Sequence, residues 1–464
     1  MILLLYDLKI LIYNFRFDGE HNNNNAFPLL SFSKVSSFIK AVSAPLISLI
    51  FARVIYAINW FNISSIFYLI SIDFKEDISM LGIITASFLI GIGIFQVPAG
   101  ILAAKYDPKK LVFSGIMILS IASLLSGFAT ELFQMVILRF LVGLGMAFFF
   151  GPSVILISTF LGKGSDGLGV GILNSAHSLG GLIGLFGWIV VAQTVGWRAS
   201  LVISGLLGII IGLFLLYVSR QKKQLHDKEK DSHGYPRHFL NDHLKYPLSD
   251  QNNENKAPVS NFTIKLSDLK IVLFNKSMII IGFSLLGIQI GWNLVSTFIV
   301  LYLKNDLNTD PFFAGLVGGL AMILNIIFAP IFGKIYDLTI KRHHSNKGLL
   351  LLIICGIIIS ISIAFFSLGN IYVIIVSIIF IGVFISGGFV VPYTKAREIA
   401  TIKLDQRHYE TLAVSFINGL SLFGAFWVPF TFSLVVKYFD YPLAWLIGGF
   451  LTLIFIIPVI KILV

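Results

Sequence analysis

The chain has 464 residues, of which 56% are hydrophobic and only 12% are charged. A soluble domain usually carries about 25% charged residues, so the composition argues against a soluble fold. A net charge of +11 would suggest nucleic acid as the partner of a soluble protein. Here the basic residues lie between apolar segments, where such residues orient a membrane protein, and no nucleic acid partner is expected.

Residues 1–42 precede the first long apolar segment. Residues 1–15 are apolar, but they include Asp7 and Lys9 and are too few to cross the hydrocarbon core. A polar tract at residues 21–25 follows, without a small-residue cleavage site. We therefore predict a cytoplasmic tail rather than a signal peptide, with an interfacial helix or a misassigned start as the alternatives.

Twelve apolar segments follow, each about as long as a helix that crosses a bilayer. The ten-residue alternation of a transmembrane barrel is absent, and backbone groups cannot stay unpaired in lipid, so we predict helices. The predicted spans are residues 44–70, 79–103, 111–129, 132–160, 168–192, 199–219, 276–302, 312–334, 348–368, 371–394, 409–434 and 441–463.

The loops alternate in charge along the chain. Those after even-numbered spans are basic, as at Lys105, Lys109 and Lys110, whereas those after odd-numbered spans are poor in Lys and Arg. Basic loops face the cytoplasm. We therefore predict a multi-pass protein of the cell membrane with both termini in the cytoplasm.

The longest connection divides the spans six and six. Residues 220–275 are rich in Lys, His, Asp, Asn and Pro, a composition that cannot bury a core. The predicted organisation is a cytoplasmic tail, a six-helix bundle, a flexible cytoplasmic linker and a second six-helix bundle. Their respective bounds are residues 1–42, 43–219, 220–275 and 276–464.

The two halves share weak matches in the same order. The pairs include Trp60 with Trp292, Gly100 with Gly333, Pro152 with Pro392 and Asn174 with Asn418. Their offsets are all about 230–245 residues. Two related halves in a polytopic protein are typical of a transporter that rocks about a central site.

Two related loop segments follow the second and eighth spans. The copy after the eighth span consists of Gly333, Asp337, Lys341 and Arg342. The copy after the second span keeps Gly100, Lys105 and Lys109, but it has Ala104 where the other copy has Asp337 and Asp107 where the other copy has Ile340.

These segments, with RFLVGLG at residues 139–145 and GWR at residues 196–198, resemble the major facilitator superfamily over residues 43–464. That family's loop motif is GxxxD(R/K)xG(R/K)(R/K); its second Gly is replaced by Ile340 in one copy and by Asp107 in the other. The resemblance implies an all-α fold of twelve transmembrane helices in two six-helix bundles, with spans 1, 4, 7 and 10 lining a cavity. It also implies that the two segments form an inner gate; membrane anchoring would explain their basic residues but not Asp337.

Three ionisable residues lie well inside predicted spans, where a charge costs about 2.5–3.5 kcal/mol and usually faces a cavity or a partner. Arg53 and Arg139 are predicted to contact an anionic group of a substrate, because guanidinium pairs with carboxylate or phosphate. Helix bracing is the alternative for Arg139. His177 is the candidate for proton coupling, since histidine titrates near neutral pH; a packing histidine is the alternative.

Uncharged polar residues also lie inside the spans. We predict that Asn59, Gln289 and Asn293 line the substrate site, because amides suit a small polar solute. The alternative is that they bond across packed helices.

The predicted function is secondary active transport of a small solute by alternating access. The two arginines, with no Asp or Glu deep in a span, favour an organic anion or a similar metabolite; drug or metabolite efflux is the alternative. An enzyme or receptor is the alternative of another class, but a polytopic enzyme would need a reactive cluster, which is absent. The single cysteine, Cys355, excludes an intrachain disulfide. No metal or cofactor is expected. The predicted partners are the solute, a co-transported proton where coupling exists, and the lipid bilayer. The protein is predicted to be a monomer.

Overall fold

Helices make up the regular structure of the described residues. The computed structural model describes residues 44–75, 78–161, 164–231, 266–341, 345–403 and 409–463; the predicted tail at 1–42 and most of the predicted linker lie outside them. Within the described residues, twelve helices are long and apolar enough to cross a membrane. The predicted count of twelve spans and the all-α fold class are confirmed.

We label the spans α1–α12 in chain order; most of their helices begin and end close to the predicted bounds, but the helix of α6 continues to Asp231, into the predicted linker, and that of α8 continues to Lys341. The helices are α1 Ala44–Ser65, α2 Ile78–Lys105, α3 Pro108–Ser126, α4 Leu132–Leu161, α5 Asp166–Leu182 continued by Trp188–Val195, α6 Trp197–Asp231, α7 Lys276–Asn305, α8 Pro311–Lys341, α9 Ser345–Ala364, α10 Ile371–Glu398, α11 Glu410–Ala425 continued by Val428–Tyr438, and α12 Tyr441–Ile456. Short helices at Phe67–Phe74 and Leu266–Leu273 follow α1 and precede α7.

Several spans depart from the continuous α-helices that the sequence predicted. The chain turns at Ile66 after α1, a π-helical turn, Ile183–Gly187, lies within α5, and a 3-10 turn, Ile457–Val459, follows α12. In α11 the helix restarts at Val428, directly before Pro429, and a proline is tolerated in the first turn of a helix because its missing N–H would have no partner there. Hydropathy detects the length of an apolar segment but not a break inside it.

The two halves pack their helices in matching pairs. In the first half α4 lies against α2 and α3, and α3 against α6; in the second half α10 lies against α8 and α9, and α9 against α12. Across the halves, α5 packs on α8 and α2 packs on α11. Since α5 corresponds to α11 and α2 to α8, each of these contacts is the counterpart of the other. The weak sequence repeat therefore corresponds to a structural repeat.

Glycines permit the closest helix contacts inside the first half. A Cβ added to Gly143 in α4 would overlap the carbonyl oxygen of Phe88 in α2 and lie 3.0 Å from the backbone N of Ile92. Small residues at such crossings let helix backbones approach each other in a membrane. The α2–α4 packing therefore requires glycine at this position.

Replacing Gly143 by Ala is expected to destabilise the protein by about 1–3 kcal/mol, because the obstructing atoms are backbone and cannot rotate away. The midpoint of thermal unfolding of the purified chain in detergent measures the effect. Gly315→Ala is the matched control, since its nearest neighbours would lie 3.6 and 3.7 Å away on one phenylalanine ring. Equal midpoints for the two variants would contradict the close-packing role.

Candidate functional site

A cavity lies between the two halves. Both halves contribute to its wall. Its lining residues are Arg53, Tyr56, Trp60, Phe61, Phe150, Asn174 and His177 from the first half, and Gln289, Trp292, Asn293, Asn325, Phe389, Tyr393, Asn418 and Leu422 from the second.

Arg53 is a buried cation in this wall. It lies nine residues into α1, about 14 Å along the helix axis and so near the middle of a bilayer. Its Cζ lies 4.3 Å from the ring centroid of Tyr56 and 4.8 Å from that of Phe150. Nε is 3.5 Å from the carbonyl oxygen of Leu173, a weak contact. Among the described residues, Nη1 has no hydrogen-bond partner.

His177 lines the same wall from α5. Its ring centroid lies 6.0, 5.7 and 5.6 Å from those of Tyr56, Trp60 and Phe61. Asn174, one helical turn earlier, lies on the same side of α5. Within the described part of the chain, neither Nδ1 of His177 nor Nδ2 of Asn174 finds a hydrogen-bond partner. Both atoms are thus buried and unpaired in side chains that line the cavity.

The second half contributes neutral polar groups. Nε2 of Gln289 donates to Oδ1 of Asn293 over 3.1 Å, and the Tyr393 hydroxyl donates to Oδ1 of Asn418 over 2.7 Å. Asn325 is bonded to serines of both halves and so belongs to the scaffold. Of the described residues that line the cavity, Arg53 alone carries a permanent charge, and none is acidic.

Arg139 and Asn59 lie away from the lining of the cavity. Nη2 of Arg139 donates to the backbone oxygen of Asn59 over 2.8 Å, and its guanidinium is fully buried beside Phe88. The side chain of Asn59 bonds to Ile55 and Ser204. Substrate contact by these two residues stays a prediction, and the observed contacts favour the bracing alternative. Arg53, Gln289 and Asn293 of the same predicted set do line the cavity.

The two halves are also joined at the end of the bundle where α2 finishes at Lys105 and α8 at Lys341, which we call the basic end. There the carboxylate of Asp337 in α8 accepts hydrogen bonds from the backbone N–H of Gly167, over 2.7 Å, and of Leu168, over 3.0 Å. These are the first N–H groups of α5, where a helix has free donors and its dipole favours an anion. Asp337 thus binds the second half to the first.

Arg397 makes a second connection at the basic end. This residue of α10 donates to Oγ of Ser158 in α4 over 2.6 Å and to the carboxylate of Asp166 in α5 over 2.9 Å. It also pairs with Glu410 in α11 over 2.9 Å. This role of Arg397 is not predicted from the sequence, because a basic residue at the end of a span is already explained by orientation in the membrane.

Within the described residues, the first loop copy has no carboxylate that contacts the other half as Asp337 does. Gly100 does lie at the interface, where an added Cβ would be 2.7 Å from Cα of Leu412 in α11. However, Ala104 stands in the place of Asp337, and Asp107 caps α3 within its own half by accepting from the N–H of Lys109 over 2.9 Å. The link that Asp337 makes to the start of α5 therefore has no counterpart at the first loop copy among the described residues.

Of the remaining residues of the predicted gate, Gly333 also contacts the other half in the described structure. Lys105 is exposed, with its Nζ 5.5 Å from the ring centroid of Tyr106. Gly333 packs directly on Gly167 beside the Asp337 contact. The side chain of Lys341 and the whole of Arg342 lie outside the described residues.

The twelve spans, the two matched halves and the cavity between them define a multi-pass membrane protein. Residues 49–400 and 289–464 match the family model of the Major Facilitator Superfamily. The chain belongs to this family, so the resemblance noted in the sequence is confirmed. Such proteins bind small-molecule substrates in a membrane, and membership points to a transporter rather than an enzyme.

Two curated relatives and one solved structure illustrate the similarity. The chain is 30% identical over 156 residues to the probable sulfoacetate transporter SauU of Cupriavidus necator, covering 34% of this chain and 36% of that protein. It is 25% identical over 323 residues to the probable galactarate/D-glucarate transporter GudP of Escherichia coli, covering 64% and 68%. The fold matches the transporter FucP in its outward conformation with a TM-score of 0.59 and 16% identity, over 90% of this chain and 98% of that one.

Asp337→Asn is expected to open the basic end, because an amide places a donor against the N–H groups of α5 and removes hydrogen bonds to a charged group worth about 1.5–3 kcal/mol. A cysteine at the buried position Ser415 of α11, in a Cys355→Ala background, reports opening through its rate of maleimide labelling. We expect labelling at least about tenfold faster. Asp107→Asn, which makes the same change in the first copy, is the control. Unchanged labelling in Asp337→Asn would exclude the link as a gate.

Proposed function

We propose that the protein is a secondary active transporter that moves a small organic anion by alternating access. The observation that carries this proposal is Arg53, a buried cation whose Nη1 lacks a partner among the described residues. A charge at this depth is expensive and usually serves function. Guanidinium binds carboxylate in a two-pronged arrangement, so an acidic group in the cavity would offset that cost.

The solutes named for the two curated relatives support the same class. Sulfoacetate and galactarate or D-glucarate are anions of organic acids. The absence of acidic side chains from the described lining of the cavity disfavours a cationic drug as substrate, because a buried cation needs a partner of opposite charge.

The contacts at the basic end support the alternating-access part of the proposal. Asp337 and Arg397 hold the halves together there through hydrogen bonds that can break without unfolding either half. We propose that residues 43–219 and 276–464 rock as two bodies, that the basic end faces the cytoplasm, and that both termini lie on the cytoplasmic side of the cell membrane. Since both walls of the cavity come from one chain, we propose a monomer as the working unit.

Arg139 receives a different role in this proposal. Its guanidinium bonds the backbone of α1 at Asn59, one and a half turns beyond Arg53 on the same helix. We propose that Arg139 fixes α1 against α4 and thereby positions Arg53, without touching the solute.

Counterflow of labelled organic anions, sugars and cations into proteoliposomes tests the function. We expect accumulation of an organic anion, and a loss of affinity of about 10–100-fold in Arg53→Ala, because a hydrogen bond to a charged group contributes about 1.5–3 kcal/mol. Arg53→Lys should retain part of the affinity. Arg198→Ala is the control, since that arginine pairs with Asp73 outside the cavity. Counterflow of cations alone, or of anions undiminished in Arg53→Ala, would contradict the proposal.

We further propose that any coupling to protons runs through His177, the imidazole that lines the described cavity beside Arg53. His177→Ala should abolish the effect of a pH gradient on uptake while exchange without a gradient continues. Asn174→Ala, on the same side of α5, controls for loss of a lining polar group. A pH dependence that survives in His177→Ala would exclude this route.

A further inference from the structure

The charge in the cavity is confined to one wall. Arg53 supplies it from the first half, and the polar side chains that the second half contributes to the lining are amides and a phenol. We infer that the solute carries one negative charge, which is bound at Arg53, and neutral hydrogen-bonding groups, which contact the amides. This inference rests on the proposed transport of an organic anion.

The surroundings of Arg53 limit how much charge the first wall accepts. The guanidinium lies over two aromatic rings, Tyr56 and Phe150, and the Phe150 ring lies 5.0 Å from that of Tyr393 in the second half. Aromatic walls exclude water and lower the local dielectric constant. A low dielectric constant strengthens the attraction between two paired charges and raises the free-energy cost of burying an unpaired charge. An acid group of the solute is therefore favoured beside Arg53 and disfavoured elsewhere in the cavity.

The second wall offers groups that suit hydroxyls. In the described structure, no protein atom pairs with Oε1 of Gln289, with Nδ2 of Asn293 or with Nδ2 of Asn418. These atoms provide one acceptor and two amide donor groups. A hydroxyl both donates and accepts, so a hydroxylated chain can satisfy all three groups, whereas a second carboxylate can use only the donors.

Apart from Arg53, no arginine or lysine of the described structure lines the cavity, so none pairs there with a second negative charge of the solute. Arg139 lies outside the lining of the cavity; its Nη2 donates to the backbone of Asn59, and its Nε and Nη1 have no partner among the described residues. Arg397 is already paired with Asp166 and Glu410 at the basic end. His177 is the one further lining side chain that could acquire a positive charge. A dianion would thus bury one charge without compensation, unlike in a site with two cations. Sulfoacetate and D-glucarate, named for the relatives, both have two acid groups, so the inference separates this chain from them.

Matched solutes that differ only in charge test the inference on the full chain. D-Glucitol, D-gluconate and D-glucarate share a six-carbon hydroxylated skeleton with no, one and two carboxylates; isethionate and sulfoacetate form a second pair with one and two acid groups. Competition against counterflow in proteoliposomes measures their affinities. We expect the monoanion of a pair to bind at least about tenfold more tightly than its dianion, with glucitol weaker than both acids.

The outcomes separate this inference from the proposed function. A dianion that binds as tightly as its monoanion overturns the inference but leaves organic-anion transport intact. Absence of competition by every acid, with counterflow of a sugar or cation, overturns both. Dianion binding that is tight in the natural protein and lost in His177→Gln would assign the second charge to a protonated histidine, and so would also overturn the inference.

A gain of function gives an independent test. Asn293→Lys adds a second cation to the amide wall and should shift preference towards D-glucarate and sulfoacetate by at least about tenfold. Asn293→Gln, which keeps the wall neutral, is the matched control and should keep the preference for monoanions. If the ratio of dianion affinity to monoanion affinity is equal in the two variants, the placement of the solute's neutral hydrogen-bonding groups beside Asn293 is contradicted. The comparison of solutes on the natural chain stands even where the lysine variant fails to fold.

Discussion

A positive charge in the middle of a membrane must be compensated, and in this protein that requirement falls on Arg53. Two aromatic rings and one long contact to a backbone oxygen surround the guanidinium, while Nη1 stays unpaired within the described structure. Leaving such a group in an apolar interior is costly unless a partner of opposite charge arrives. Arg53 lines the cavity between the halves, so an anion that pairs with it there would convert the energetic cost of the arginine into affinity.

The same principle of compensation governs the basic end. Arg397 lies between two carboxylates, and the carboxylate of Asp337 lies against the free N–H groups of a helix start. Each link joins elements of different halves through polar bonds, which can be exchanged for water. Glycine lets backbone meet backbone both within a half, as at Gly143, and between the halves, as at Gly333 and Gly167. Rigid halves joined by separable contacts suit a protein that opens first at one end and then at the other.

Much of this organisation could be predicted from the sequence, for physical reasons that also set the limit. Span number follows from apolar length, and Arg53 is conspicuous because charge is rare inside a span. Arg139 is equally conspicuous, yet its side chain points to Asn59, because the rotation of a helix about its axis is fixed by tertiary packing. The roles of Arg397, Asp166 and Glu410 could not be predicted, since charged residues at helix ends are common for local reasons. The break before Pro429 needs backbone geometry that hydropathy does not contain.

The most direct measurement of the central claim is the structure of the full chain with the organic anion that counterflow selects. The claim requires an acid group of that anion in the cavity, with an oxygen within hydrogen-bond distance of Nη1 of Arg53. It also requires Arg139 to keep its bond to the Asn59 backbone. An anion bound against Arg139 with Arg53 still unpaired, or bound outside the cavity, would contradict it.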